Sequence, residues 1–380
     1  MPVIPFLDLR ELHEATGTQE EIEAAVLRVV RSGRYLMGPE LERFEAAFAA
    51  YCENTHCVAT GSGLASLELA LRAVGVGPGD EVIVPAHTFI ATWLAVSATG
   101  ARPVPVDQEG GAFLLDPERL EAAVTPRTRA IMPVHLYGHP VDLDGIGRVA
   151  ERYGLAVVED AAQAHGARHR GRRVGSGHAV AFSFYPGKNL GALGNGGAVV
   201  TDDPELADRL RLLRNYGARE KYVHETRGGN SRLDEVQAAV LATKLPYLDA
   251  WNERRRAVAR RYTEAFTGLP GVAVPEVAPW AEHVWHQYVL RVSHRDAVRR
   301  RLERAGVMTL VHYPTANHLM PAYATENIAP AGGLPGAELL AGQVLSLPIG
   351  PHLTDDTVGH VIEAVRTAVL DAAPAAGRPA

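Results

Sequence analysis

Between Cys57 and Thr201, short β-rich apolar runs alternate with stretches of helical periodicity. No other feature of the chain restricts its fold as much. Residues 82–84, 103–106, 130–134, 156–158, 179–184 and 198–201 read as strands, and amphipathic segments fit between many of them. Apolar strands joined by helices mark an α/β fold with a mostly parallel central sheet covered on both faces. Ahead of it, residues 19–31 carry Ile22, Val26 and Val29 at helical spacing and stop at Gly33; Pro39 then opens a helix with Leu41, Phe44, Phe48 and Tyr51 on one stripe. At 380 residues the chain exceeds the ~250 to 300 residues at which a single core stops growing, so two domains are expected. A helix opening at Ser231 breaks at Pro246, and a basic helix follows through Trp251 and residues 254–256. The expected division is therefore 1–250, an entry segment plus a large domain, and 251–380, a smaller α/β domain. The latter has strands at 288–292, 308–312 and 345–348, a last helix from Thr354 and a fraying tail from Asp371.

Lysines and arginines number 38 against 44 acids, a net charge of −6, which gives no basic face for nucleic acid or an anionic membrane. The first residues reach acidic and polar side chains too soon for a secretion signal, and no apolar run approaches membrane-spanning length. A cytoplasmic protein is expected. Cys52 and Cys57 read as reduced packing thiols, and His135, His139, His165 and His169 fall on no common face, so no metal site is expected.

The chemistry concentrates around Lys188. It lies between two apolar runs, in a loop with glycines at 187, 191, 194, 196 and 197. Desolvation disfavours an ammonium, and a neutral amine can attack a carbonyl. The glycines offer positive φ and room for a flat ligand against the main chain, although a solvated turn lysine has the same local sequence. Thr60 to Ser66 join a strand to a helix through Gly61 and Gly63; the free amides of such a start, Gly63, Leu64 and Ala65, suit a phosphate. No Walker lysine follows and the third glycine of a dinucleotide fingerprint is missing, so an ordinary helix start remains open. The strand before Asp160 ends in two acids, Glu159 and Asp160, which alternation points to opposite sides. Asp160 is suited either to a cationic ring nitrogen or to a helix N-cap. Ser183 can reach a phosphate or a backbone group, Asn230 and Ser231 resemble a capping box, and Arg219, Lys221 and Tyr222 beside a glycine turn can hold a diphosphate or face solvent. His312, Tyr313 and His318 follow a strand and can line a cleft.

An imine-forming lysine, an acid 28 residues earlier and a helix-start cradle suggest pyridoxal phosphate. The chain resembles the DegT and StrS group of nucleotide-sugar aminotransferases, and most closely those of the desosamine type. The resemblance rests on residues 5–9, 32–35, 77–85, 133–140, 158–163, 185–190, 230–235, 312–314 and 345–348. It implies a fold type I, aspartate aminotransferase-like domain in which Lys188 binds the cofactor as an imine and later moves the substrate proton. Asp160 then holds the pyridine nitrogen protonated, Gln163 bonds the phenolic oxygen, and Phe89 stacks on the ring. Ser183 with the amides of Leu64 and Ala65 holds the phosphate, and Asn230 reaches it from the neighbouring subunit of a homodimer. The implied reaction moves an amino group, usually from L-glutamate, to a dTDP-linked keto-6-deoxy sugar at C-3, with C-4 as the alternative. Leu64 departs from the threonine common in the family, which leaves Ser62 or Ser66 to compensate. Lysine at 188 argues against the dehydratase relatives, which carry histidine there. A nicotinamide-dependent sugar oxidoreductase and a non-catalytic regulator are the rival readings.

Overall fold

The computed structural model describes residues 3–108 and 113–372. Its largest sheet has seven strands in the order His56–Thr60, Gly197–Thr201, Ala179–Ser183, Ala156–Asp160, Thr128–Ile131, Glu81–Pro85 and Arg102–Val106. Gly197–Thr201 runs against both neighbours, while the remaining pairs are parallel. The alternation expected of strands buried on both faces is visible residue by residue. Val58, Ala181 and Val199 pack on one side with Leu67, Leu71 and Trp93, whereas Ala59, Val180, Phe182 and Val200 pack on the other with Phe44, Phe48 and Leu241. Phe48 meets Phe182 edge-on at 5.1 Å and Phe184 at 5.2 Å between ring centres, so the entry helix Pro39–Tyr51 is part of the second layer.

A second core gathers around the antiparallel strands Val272–Ala273, Tyr288–Val292 and Val344–Leu347, covered by the helices Leu248–Phe266, Arg295–Arg304 and Asp355–Ala372. The expected division between residues 250 and 251 falls inside the first of these helices. The expected strand at 308–312 does not form; Leu310 alone pairs with Ser346, and the chain then turns so that His312 and Tyr313 enter a cavity. The helix expected from Ser231 begins at Glu235. Residues 230–234 run past Gly61 instead, and the Ser231 hydroxyl accepts that glycine's N–H at 3.0 Å. Glu235 performs the capping: its carboxylate accepts the N–H groups of Gly38, Glu40 and Leu41 at 2.9, 2.9 and 3.1 Å. This satisfies the start of Pro39–Tyr51, whose N-cap glycine has no side chain to do so. Asp371 is still helical, and the tail from residue 373 lies outside the described residues. Among the described residues no helix is long and apolar enough to cross a membrane.

Candidate active site

The lysine loop leaves the sheet at Ser183 and returns at Gly197. Lys188 N–H bonds Tyr185 C=O at 2.8 Å, and Ala192 N–H bonds Phe184 C=O at 2.8 Å, so the turn is pinned on both sides of the lysine. None of its five glycines adopts positive φ; they are needed for close approach. A Cβ on Gly197 would stand 2.5 Å from the carbonyl oxygen of Ser62, and one on Gly196 would stand 2.8 Å from Leu233. Burial lowers the Lys188 amine to about 8, against a smaller opposing pull from Asp160.

Asp160 sits at the carboxyl end of its strand, 5% exposed. Thr92 Oγ1 donates to Oδ2 at 2.8 Å and Ala162 N–H to Oδ1 at 3.1 Å, yet burial still raises the carboxyl above its ordinary value. No helix follows for it to cap; Asp160 Oδ1 closes only a turn through Ala162 N–H, and the residue also lines the lysine's cavity. Glu159 points away to His135 Nε2 at 3.0 Å.

The cavity has a volume of about 630 Å³ and is walled by Asp160, Gln163, Ser183, Lys188, Phe89 and Tyr313, with further side chains around them. The helix Gly63–Ala73 points its start into it. Ala65 N–H is already taken by the Ser62 hydroxyl at 3.2 Å, which leaves the amides of Gly63 and Leu64 with no partner among the described residues. This corrects the expectation for Ala65. Gly63 packs directly on Ser183, too close for a Cβ, so the Ser183 hydroxyl stands beside those amides. Of the two serines left to replace a threonine, Ser66 is fully buried against Thr60 Oγ1 at 2.7 Å; Ser62 lines the cavity and keeps its hydroxyl hydrogen for a ligand. Phe89 is 51% exposed and its ring lies 5.4 Å from that of Tyr313. Gln163 Oε1 accepts Tyr137 N–H at 2.6 Å and Nε2 donates to Tyr313 Oη at 3.1 Å. A desolvated amine, a desolvated carboxylate that would gain from a cationic N–H, two free helix-start amides beside a hydroxyl, and an exposed aromatic face together fit pyridoxal phosphate.

His312 reaches the cavity, with Nδ1 2.8 Å from Ser346 Oγ; burial first and then the charge of Lys188 lower it to about 4. His318 does not reach it. It is buried against the helix Pro335–Gln343, where Nε2 meets Glu338 at 3.1 Å. Arg219, Lys221 and Tyr222 lie on a hairpin of Ala218–Glu220 and Val223–His224, outside the cavity of their own chain. Arg219 is held by Asp208 and by Glu225 at 3.2 Å, while Tyr222 is 82% exposed. Asn230 also lies outside, with Oδ1 accepting Arg232 Nε at 3.0 Å. Asp142, Asp144 and His169 come within 4.8 Å of one another; Asp142 caps Leu143–Tyr153 through Gly145 N–H, and Asp144 pairs with Arg170 at 2.6 Å. Sequence reasoning missed Thr92, His286 and Arg255. Thr92 and His286 carry no local signal, but Arg255 shares a helical stripe with Trp251, Val258 and Tyr262, and that periodicity marks it as inward-facing.

A family profile described as the DegT/DnrJ/EryC1/StrS aminotransferase family matches residues 17–366. The chain is 61% identical over 364 residues to the "Erythromycin biosynthesis sensory transduction protein EryC1" of Saccharopolyspora erythraea, covering 96% of this chain and 99% of that one. It is 60% identical over 366 residues to a dTDP-3-amino-3,4,6-trideoxy-alpha-D-glucose transaminase of Streptomyces venezuelae, covering 96% of each. Among solved structures, S. venezuelae DesV in complex with a ketimine intermediate superimposes with a TM-score of 0.94 at 59% identity, covering 97% of this chain and 98% of that one. Ntda from Bacillus subtilis, with bound cofactor PMP, gives 0.89 at 34% identity, covering 97% and 86%. The chain therefore belongs to the DegT/DnrJ/EryC1/StrS aminotransferases, a pyridoxal phosphate-dependent family of fold type I.

Proposed function

We propose that this protein is a pyridoxal phosphate-dependent aminotransferase that moves an amino group from L-glutamate to C-3 of a dTDP-linked keto-6-deoxy sugar, in the cytoplasm, in the biosynthesis of an antibiotic amino sugar. The observation that carries the reading is the pairing of Lys188 with Asp160 in one cavity, each carrying the perturbation that the chemistry needs. The position on the sugar and the dTDP handle follow the S. venezuelae transaminase at 60% identity. Some relatives bear regulatory names, including the erythromycin-pathway protein. A lysine amine lowered by burial beside a buried carboxylate favours catalysis over sensing.

Bound pyridoxal phosphate supplies an aldehyde that accepts the amino group and a ring that withdraws electrons from the reacting carbon. Lys188 Nζ would hold the cofactor and, as a free amine, would move the proton to and from the substrate carbon. Asp160, which Thr92 fixes in place, would keep the ring nitrogen protonated. The Gly63 and Leu64 amides, Ser62 and Ser183 would hold the phosphate. Gln163 would bond the phenolic oxygen, Phe89 would cover the ring, and Tyr313 and His312 would border the sugar. In a homodimer, the hairpin with Arg219, Lys221 and Tyr222, together with Asn230, would reach the site of the neighbouring subunit; that they line no part of their own chain's cavity supports this reading. We assign the two domains to residues 1–250 and 251–380, joined through the helix Leu248–Phe266.

The test is the near-ultraviolet and visible spectrum of the purified protein with pyridoxal phosphate, before and after L-glutamate, followed by the keto sugar and identification of the aminated carbon. A lysine-linked band that glutamate bleaches, and that Lys188→Arg never forms, is expected. Absence of that band in the wild type refutes the assignment of Lys188, and amination at C-4 refutes the position.

A further inference from the structure

Three consecutive arginines, Arg254, Arg255 and Arg256, lie inside the helix Leu248–Phe266, and they have different surroundings. Arg254 Nη2 pairs with Asp355 at 3.1 Å and Arg256 Nε with Glu253 at 2.9 Å, both toward solvent. Arg255 turns inward. It is 3% exposed, and no carboxylate pairs with it among the described residues. Its Nη1 donates to backbone oxygens, those of Ile349 at 3.0 Å, Trp285 at 3.3 Å and His286 at 3.5 Å, while Nε has no partner among the described residues. A guanidinium taken out of water without a counter-charge is unfavourable, and desolvation pulls its affinity for its proton down with no acid to oppose it.

Arg255 also lines the cavity of Lys188, and among the described residues of this chain the two are the lysine and arginine side chains in that lining. Both charges act on the ring of His286, which lines the same cavity. Resting on the aminotransferase reading, we propose that Arg255 binds the α-carboxylate of the amino donor. An amino acid carries that carboxylate on the very carbon whose proton moves at Lys188, whereas the anionic diphosphate of a nucleotide sugar lies several bonds from its keto carbon. The phosphate of the cofactor has its own donors at Gly63, Leu64 and Ser183. The three carbonyls explain how the same pocket serves both halves of the reaction. They hold the guanidinium while a neutral sugar ring occupies the site, and they leave the charge uncancelled for the donor. An aspartate or glutamate in their place would neutralise Arg255 and repel the donor's carboxylate.

The experiment compares wild type, Arg255→Lys and Arg255→Gln, each loaded with cofactor, in single turnovers. L-Glutamate is set against 4-aminobutyrate, which keeps the amine and the distal carboxylate but lacks the α-carboxylate. The wild type is expected to prefer glutamate by at least ~30-fold; Arg255→Gln should lose most of that preference, with Arg255→Lys between them. Starting from the pyridoxamine phosphate form, the reaction with the keto sugar should change less than about threefold in either variant. Calorimetry with glutarate, which has no amine to react, reads the carboxylate site without turnover and should show binding to wild type and none to Arg255→Gln. Equal losses in both half-reactions assign Arg255 a purely structural role and overturn the proposal. A loss confined to the sugar half-reaction overturns it in favour of the diphosphate. An unchanged donor preference also overturns it. If the wild type binds glutarate but no amino acid bleaches its spectrum, the aminotransferase reading fails and the anion site stands.

Discussion

Replacing Gly197 by alanine tests how the sheet and the phosphate cradle are joined. A Cβ there lies 2.5 Å from Ser62 O and 2.5 Å from Ser66 Oγ, whereas tolerable contacts begin near 3.0 to 3.4 Å. The helix start must therefore retreat by about 0.5 to 0.9 Å, since Ser62 O is backbone and cannot rotate away. That backbone leads directly into the Gly63 and Leu64 amides. A hydrogen bond to a charged acceptor contributes about 1.5 to 3 kcal/mol, and a retreat of this size weakens two of them, so a loss of about 2 to 3 kcal/mol in cofactor affinity is expected. This corresponds to roughly 30- to 160-fold in Kd. The assay titrates cofactor-free protein with pyridoxal phosphate and, separately, with pyridoxal, which lacks the phosphate. Gly197→Ala should lose affinity for the first and keep it for the second. Gly147→Ala serves as the control, because a Cβ there meets nothing within 4 Å and the residue lies inside a helix, where alanine is favoured. If Gly197→Ala binds pyridoxal phosphate within about twofold of wild type, or loses both ligands alike, the helix start is not the phosphate holder.

Three further outcomes are expected. The rate at which cofactor-free protein captures pyridoxal phosphate should rise from pH 7 to 9, because burial lowers the Lys188 amine to about 8 and only the neutral amine attacks the aldehyde; a flat profile refutes the lowered amine. In the cofactor-free protein the folded state binds fewer protons than the unfolded one between about 8 and the ordinary lysine value of 10.5, so Lys188→Met should reduce the gain in stability that wild type shows across that window in urea titrations. Asp160→Asn removes the anion that stabilises a protonated ring nitrogen and should slow turnover by about 10²- to 10⁴-fold while the lysine-linked band still forms; a rate within tenfold of wild type excludes that role. Glu235→Ala leaves three amides of Pro39–Tyr51 without their acceptor and should cost about 1 to 3 kcal/mol in equilibrium unfolding, with no measurable loss indicating that water replaces the cap.

Much of the sheet was legible because its strands are apolar on both faces and so keep their pattern whatever covers them. The strand at 308–312 was misread because five residues of mixed character satisfy a strand template, while the partner that would have confirmed it pairs only at Leu310. The helix start at Ser231 was misread for a related reason: the hydroxyl that looks like a cap bonds Gly61, some 170 residues away, and the acid that does the capping serves a different helix. Lys188, Asp160 and Ser183 could be picked out because each sits at a strand end or in the glycine loop, whereas Gln163, three residues past its strand, came from resemblance alone. The glycines of that loop were expected to supply positive φ, and instead they allow backbone to approach backbone, a requirement set entirely by neighbours distant in sequence.

The sequence by itself determined the class of fold, the family, and the lysine and acid of the site, because periodicity, strand-end position and glycine spacing are properties of short segments. Only the tertiary structure decided that the inward-facing Arg255 has no counter-charge among the described residues, that Thr92 fixes Asp160, that Ala65 is spent on its own cap, and that His318 faces away. Burial, hydrogen-bond partnership and desolvation belong to pairs of segments far apart in the chain, so they exist only once those segments meet.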